Sequence, residues 1–216
     1  VVIGILSMTG LGLKISSLLI GLANGNMLVL LILTALVSII LGMGLPTVAV
    51  YIVVAAIIAP TLVGFGLPRL AAHMYIFYYG ILAVITPPVA LAAYAGAGIA
   101  GCSPNKTGWQ AVKLGSAGFL LPLVFVYSPV LLLQGGVGEI IIAFFTACCG
   151  IVMLACCNSA YPSQNPLIRL LLLLGAILMI IPGLLTDSVG IICGGIALFI
   201  EFKILRARRG SDASAV

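Results

Sequence analysis

Long apolar runs broken by glycine, proline and asparagine fill most of the chain, and their spacing predicts a series of membrane helices. The first run, residues 1–22, is interrupted by Thr9, Gly10, Gly12 and Lys14, and Asn24-Gly25-Asn26 closes it. The second, 27–41, stops at Gly42-Met43-Gly44-Leu45-Pro46-Thr47, and the third, 48–63, carries Pro60 near its end. A loop at 64–73 contains Pro68 and Arg69. The next run, 74–100, is too long for one perpendicular span and has Thr86-Pro87-Pro88 near its middle. A polar segment, 101–110, with Asn105, Lys106 and Trp109, precedes the runs 111–133 and 137–157. A polar loop follows around 158–166. The last stretch, 167–202, is split at Pro182-Gly183 and at Thr186-Asp187-Ser188. That pattern predicts a hairpin of two short helices, with Asp187 placed to cap one of them.

Composition turns this pattern into a fold class. Of the residues, 63% are hydrophobic and 6% charged, against roughly 25% charged in soluble domains. So little charge cannot cover a water-facing surface. Each spanning helix needs about 20 apolar residues, and lipid admits only helices and closed barrels. Barrel strands alternate over about ten residues, whereas these runs are continuous. The expectation is an all-α polytopic membrane protein. The chain begins with Val1 and enters apolar sequence at once, with no basic segment or cleavage site of a signal peptide, so it reads as part of a longer protein.

Two interruptions carry the chemistry. The 42–47 break follows only about fifteen apolar residues, which rise about 22 Å as helix, short of the roughly 30 Å hydrocarbon core. Pro46 donates no backbone hydrogen bond, Gly42 and Gly44 open backbone angles closed to other residues, and no charged residue marks the turn as solvated. The pattern predicts a re-entrant hairpin with its tip inside the membrane; an ordinary interfacial loop is the blander reading. At Thr86, Pro87 and Pro88 two amide donors are missing in sequence, which predicts a discontinuous helix rather than a kink. Broken helices near the bilayer midplane are the binding elements of secondary transporters. Their half-helix N-termini suit a carboxylate, and unwound carbonyls with a threonine hydroxyl suit a hard cation. Thr47 and Thr86 are the hydroxyls at the two breaks.

Charge then narrows the coupling ion and the topology. The acidic residues are Glu139, Asp187, Glu201 and Asp212, none near either break. A proton relay in the membrane needs Asp, Glu or His, and His73 reads as an interfacial polar residue, so sodium is the expected ion. Lys203, Arg206, Arg208 and Arg209 form a basic C-terminal tail. The positive-inside rule places the tail, Arg169, Lys106 and Lys113 in the cytoplasm and leaves Arg69 outside as the exception. No broad basic face suggests nucleic acid. Cys148, Cys149, Cys156 and Cys157 share one apolar run, and Cys149 and Cys156 one helix face. With no His, Asp or Glu beside them they read as packing residues rather than metal ligands.

Residues 42–133 resemble the large membrane subunit of tripartite ATP-independent periplasmic (TRAP) transporters, and most of all the fused permease of the TAXI subgroup. The likeness is carried by LGMGLPTVAVYIVVAAIIAPTLV (41–63), AAHMYIFYYGILAVITPPVALAAYAGAGIAG (71–101) and TGWQAVKLGSAGFLLPLVFVYSPVLLL (107–133). In that order come GLPT, PRLAAH and ITPPVALAAY; residues 1–40 are also compatible. The resemblance implies an elevator-type transporter of two inverted repeats, of which residues 1–133 would be the second, C-terminal one. Residues 134–216 would be additional membrane helices with a structural or assembly role. It implies sodium held by Gly42, Gly44, Thr47 and Thr86, with Met43, Pro46, Pro87 and Pro88 shaping the backbone, and no other cofactor. It further implies a small organic anion as substrate, a periplasmic solute-binding protein, an upstream repeat and small membrane domain as partners, and the bacterial inner membrane as location.

Two other function classes stay open at this stage. A proton-coupled permease remains compatible with the residues, and a non-transporting membrane scaffold or assembly subunit would need no buried polar breaks. A membrane enzyme has little support, because no Ser/His/Asp set, metal cluster or carboxylate pair lies within the runs.

Overall fold

A computed structural model describes residues 8–159, 166–181 and 183–213. The described residues are helical apart from turns, and they divide into two compact units, Val1–Leu132 and Leu133–Val216. Among them are ten α-helices. In the first unit these are α1 (Leu11–Ala23), α2 (Met27–Gly42), α3 (Thr47–Gly64), α4 (Arg69–Leu82), α5 (Leu91–Ala100), α6 (Pro104–Leu114) and α7 (Ser116–Tyr127), followed by a short 3-10 turn, Pro129–Leu132. The second unit contains α8 (Val137–Ser159), α9 (Pro166–Ile180) and α10 (Leu184–Ala213).

In the first unit α2 and α3 form a helical hairpin, and α4 packs against α2, α3 and α7. The start of the hairpin is set by sequence: the Asn26 side-chain oxygen accepts from the amides of Leu28 (2.9 Å) and Val29 (3.3 Å), capping α2. Leu30, Leu31, Val50, Val54, Ile58, Leu62, Tyr75 and Ile76 form the core. The two buried tyrosines of α4 find acceptors for their polar tips, as buried phenols must. Tyr75 donates to the Leu31 carbonyl at 2.8 Å and Tyr79 to the Phe119 carbonyl at 2.8 Å. Ile32, Leu36 and Ile40, four apart on α2, are exposed. A helix with apolar residues on both its core and its outer face suits lipid surroundings.

α3 and α8 are each long and apolar enough to cross a membrane. The sixteen residues of α2 rise about 24 Å, so the two hairpin arms are less equal than their apolar runs suggest. Several expected boundaries also move. α4 starts at Arg69, which puts His73 one turn inside a helix rather than in a loop. The polar segment 101–110 is mostly helix: Pro104 opens α6, a position where its missing N–H costs nothing. The single span expected at 111–133 is instead two helices bent by 41° at Gly115.

In the second unit α9 packs against α8 and α10. The chain breaks after Ile180, but α10 runs without interruption through Thr186-Asp187-Ser188, so the second expected split there is absent. Asp187 sits in the first turn of α10 with its side chain buried, and its amide donates to the Gly183 carbonyl at 2.8 Å. The Thr186 hydroxyl donates to the carbonyls of Gly183 (2.8 Å) and Ile181 (2.9 Å), holding the turn. The basic residues from Lys203 to Arg209 lie on this helix rather than in an irregular tail. Part of the first apolar run, 1–7, and of the polar loop, 160–165, lies outside the described residues.

Candidate functional site

The hairpin tip is the four-residue connection from Met43 to Pro46. Met43 ends α2 with its amide on the Ile40 carbonyl (3.3 Å). Gly44 takes φ +84°, a left-handed backbone that favours glycine. Pro46, at φ −61° and ψ 142°, caps α3 and gives its carbonyl to the Val50 amide (3.0 Å). Thr47 is the first residue of α3 and is half-buried. From Leu41 to Leu45 no carbonyl receives a hydrogen bond from a described backbone amide. This is what the negative end of a helix leaves open when nothing caps it.

The broken helix is interrupted between Leu82 and Leu91. α4 tightens at its end, with amides of Val84, Ile85 and Thr86 bonding three residues back to Ile81 (3.1 Å), Leu82 (3.2 Å) and Ala83 (3.3 Å). Pro87-Pro88 is a cis peptide, and Ala90 takes φ +35° before α5 begins. The prolines do not orphan every carbonyl behind them. The Val84 carbonyl accepts from Ala92 (3.0 Å), tying the second half-helix back to the first. The carbonyls of Ile85, Pro87 and Val89 receive no described amide. Thr86 donates its hydroxyl to the Leu82 carbonyl at 2.6 Å, which leaves its oxygen lone pairs as acceptors of a cation. Pro88 presents its carbonyl to the Tyr94 hydroxyl at 2.9 Å.

The two breaks meet through Gly42. A Cβ placed on this buried glycine would lie 2.6 Å from Ala83 Cβ, 3.1 Å from the Gly80 carbonyl oxygen and 3.5 Å from Val50 Cγ1. The C-terminal end of α2 therefore rests on the C-terminal end of α4 and the start of the break. Two helix C-termini converge there, each carrying roughly half a negative charge. The chain leaves the two breaks through the N-termini of α3 and α5, which carry partial charge of the opposite sign.

Of the residues expected at the site, Gly42, Met43, Gly44, Pro46 and Thr47 lie on the hairpin turn, and Thr86, Pro87 and Pro88 on the break. Thr47 and Thr86 share no hydrogen bond among the described residues; the glycine contact joins the two elements. Sequence reading passed over Gly80 and Ala83, on which Gly42 rests. It also passed over Gly108, Gly115 and Gly118, which let α6 and α7 close around the break. Added Cβ atoms on these would meet Pro87 Cγ at 3.1 Å, Ile85 Cδ1 at 2.7 Å and Leu82 Cδ2 at 3.0 Å. The only signal was the glycines themselves, which a single sequence does not distinguish from flexible positions.

The model of the family described as tripartite ATP-independent periplasmic transporter, DctM component, matches residues 1–140. Searches against curated proteins and against solved structures returned no match. The matched span contains the hairpin, the broken helix and the two helices that enclose the break. DctM components are transporters rather than enzymes, and the tripartite periplasmic system in the family description implies a periplasmic binding protein and further membrane components as partners. The chain belongs to the DctM family, as a helical membrane permease component of a tripartite ATP-independent periplasmic transporter.

Proposed function

We propose that the chain couples sodium entry to uptake of an organic anion, with the ion seated where the hairpin tip meets the broken helix. Gly42 and Gly44 supply backbone carbonyls, and Thr47 and Thr86 supply hydroxyl oxygens. Met43, Pro46, Pro87 and Pro88 hold the backbone open. The contact of Gly42 with Gly80 and Ala83 carries this reading, because it sets the uncapped end of α2 on the end of α4 where the broken helix begins. Sodium prefers oxygen ligands, and neither break contains an acidic residue that could carry a proton.

In this reading residues 1–133 are the second of two inverted repeats of an elevator-type permease. The hairpin is re-entrant, and its tip lies within the bilayer of the bacterial inner membrane. The substrate carboxylate faces the N-termini of α3 and α5 and arrives from a periplasmic binding protein, as in the TAXI subgroup. Residues 134–216 serve a structural or assembly role, with the C-terminus in the cytoplasm.

The test is uptake by the full-length permease, reconstituted in vesicles with its binding protein, under an imposed sodium gradient. Thr47→Ala and Thr86→Ala are expected to raise the sodium concentration needed for half-maximal uptake. Unchanged sodium dependence in both removes the assigned ion site. Accumulation driven only by a proton gradient replaces the ion, and none under either gradient leaves a scaffold.

A further inference from the structure

At the far end of α3 from the tip lies an open cavity of about 470 Å³. One wall is Ala55, Ala59 and Val63, spaced four apart on α3; Val63 is exposed, and the two alanines belong to the core and show only a small part of their surface. That strip runs about 12 Å along the helix, a length suited to the first part of an acyl chain. The mouth carries Arg69 and His73, also four apart and so on one face of α4. Arg69 is exposed and makes no ion pair or hydrogen bond among the described residues. Its own unit, residues 1–132, contains no acidic residue. His73 Nδ1 lies 3.0 Å from the Tyr51 hydroxyl. When the phenol donates to Nδ1, the ring proton resides on Nε2 and that nitrogen becomes a donor.

The backbone around the mouth favours the same sign of ligand. Arg69 is the first residue of α4, whose N-terminal amides lack helical acceptors and carry partial positive charge. The opposing negative end of α3 is closed off. Its Thr61, Leu62 and Val63 carbonyls accept from the amides of Phe65 (3.1 Å), Leu67 (3.2 Å) and Gly66 (2.9 Å), a glycine-terminated cap with Gly66 at φ +99°. The mouth therefore has a cation, a ring donor and a helix N-terminus beside a strip of apolar surface on a helix long enough to span a membrane.

We propose that this cavity holds an anionic phospholipid, its phosphodiester between Arg69 and His73 and the head of one acyl chain against Ala55, Ala59 and Val63. A planar guanidinium pairs with phosphate through two parallel hydrogen bonds. A free soluble anion would gain the charge contacts but nothing from the apolar strip. The lipid also explains why one arginine departs from the positive-inside pattern: its countercharge comes from the membrane. The site is remote from the ion junction, and its occupancy is read without transport.

The experiment is native mass spectrometry of the full-length permease, purified in detergent and supplied with phosphatidylglycerol or phosphatidylcholine. The expected result is retention of phosphatidylglycerol in preference to phosphatidylcholine. Arg69→Gln should lower that retention about fivefold, the effect of one basic residue near an anionic surface. His73→Gln should cause a smaller loss, Arg69→Lys should keep part of the binding, and Lys106→Gln should change nothing. Equal retention by the wild-type protein and Arg69→Gln, both folded by circular dichroism, overturns the proposal. If Arg69→Gln does not fold, wild-type retention in both Arg69→Lys and His73→Gln overturns it. A millimolar addition of inorganic phosphate or succinate that displaces the lipid completely also overturns it, making this a soluble-anion site.

Discussion

Replacing Gly42 by alanine tests the junction most directly. The new Cβ would stand 2.6 Å from Ala83 Cβ, where carbon atoms in contact prefer about 3.5–4.0 Å. The overlap is thus about 1 Å, and the neighbours cannot swing aside: Ala83 Cβ is fixed to the backbone, and the Gly80 carbonyl at 3.1 Å is backbone itself. Overpacking of this kind costs about 1–3 kcal/mol. The gain in helix propensity, at most about 1 kcal/mol in a helix interior, is smaller for the last helical residue. If the strain falls on the ion-bound geometry, a net 1–2 kcal/mol corresponds to roughly a five- to thirtyfold weaker sodium response. The assay is a sodium titration of uptake by the reconstituted full-length permease, beside thermal unfolding of the purified protein. Ala83→Gly removes the closest atom, so the double variant Gly42→Ala/Ala83→Gly should recover a large part of the loss, a coupling only contacting residues show. Gly64→Ala, where an added Cβ meets nothing within 4 Å, should be neutral. An unchanged sodium response and melting temperature in Gly42→Ala, or a loss that Ala83→Gly leaves untouched, would refute the reasoning.

Other changes probe single links. Thr86→Ser should preserve the sodium response better than Thr86→Ala in a sodium titration of uptake, because it keeps the hydroxyl that lies 2.6 Å from the Leu82 carbonyl. Tyr79→Phe removes the 2.8 Å bond to the Phe119 carbonyl and should cost about 1 kcal/mol of stability, measured as a lower melting temperature. In the second unit, Gly150→Ala would set a Cβ 2.8 Å from Ile180 Cγ1 and 2.9 Å from the Ala176 carbonyl. It should destabilise by about 1–3 kcal/mol, seen as earlier unfolding or proteolysis around α8 and α9.

The breaks were legible because proline and glycine act on the backbone directly: Pro87 and Pro88 lack amides wherever they sit, and Gly44 is needed wherever φ is positive. The helix of residues 104–114 was not, because its polar residues Asn105, Lys106 and Gln110 look like a loop until Pro104 is recognised as a helix start. The continuity of α10 through Thr186-Asp187-Ser188 was hidden for a related reason. Both residues turn back on the first turn of the helix, the Thr186 hydroxyl and the Asp187 amide each donating to the Gly183 carbonyl, and so they begin the helix rather than end it. The junction at Gly42 depends on residues roughly forty positions apart coming within van der Waals reach. Nothing local in the sequence specifies that; it follows from the packing of α2 on α4 around Leu31, Tyr75 and Tyr79.

The absence of acidic residues at the junction has an energetic consequence for the proposed symport. Sodium held by carbonyls and hydroxyls alone keeps its full unit charge in a site of low dielectric, and neither break carries a carboxylate to balance it. In the proposed symport an organic anion at the N-termini of α3 and α5 would supply that balance. Two unit charges about 6 Å apart attract by about 3 kcal/mol at an effective dielectric of about 20. Linkage then requires each ligand to strengthen the other by the same factor, on the order of a hundredfold. Sodium alone and substrate alone should therefore bind weakly, and each should bind far more tightly when the other is saturating. Calorimetric titration of the purified full-length permease in both orders measures this. Equal sodium affinity with and without substrate would mean that the two charges do not meet in one site, and the neutral junction would then have no part in coupling.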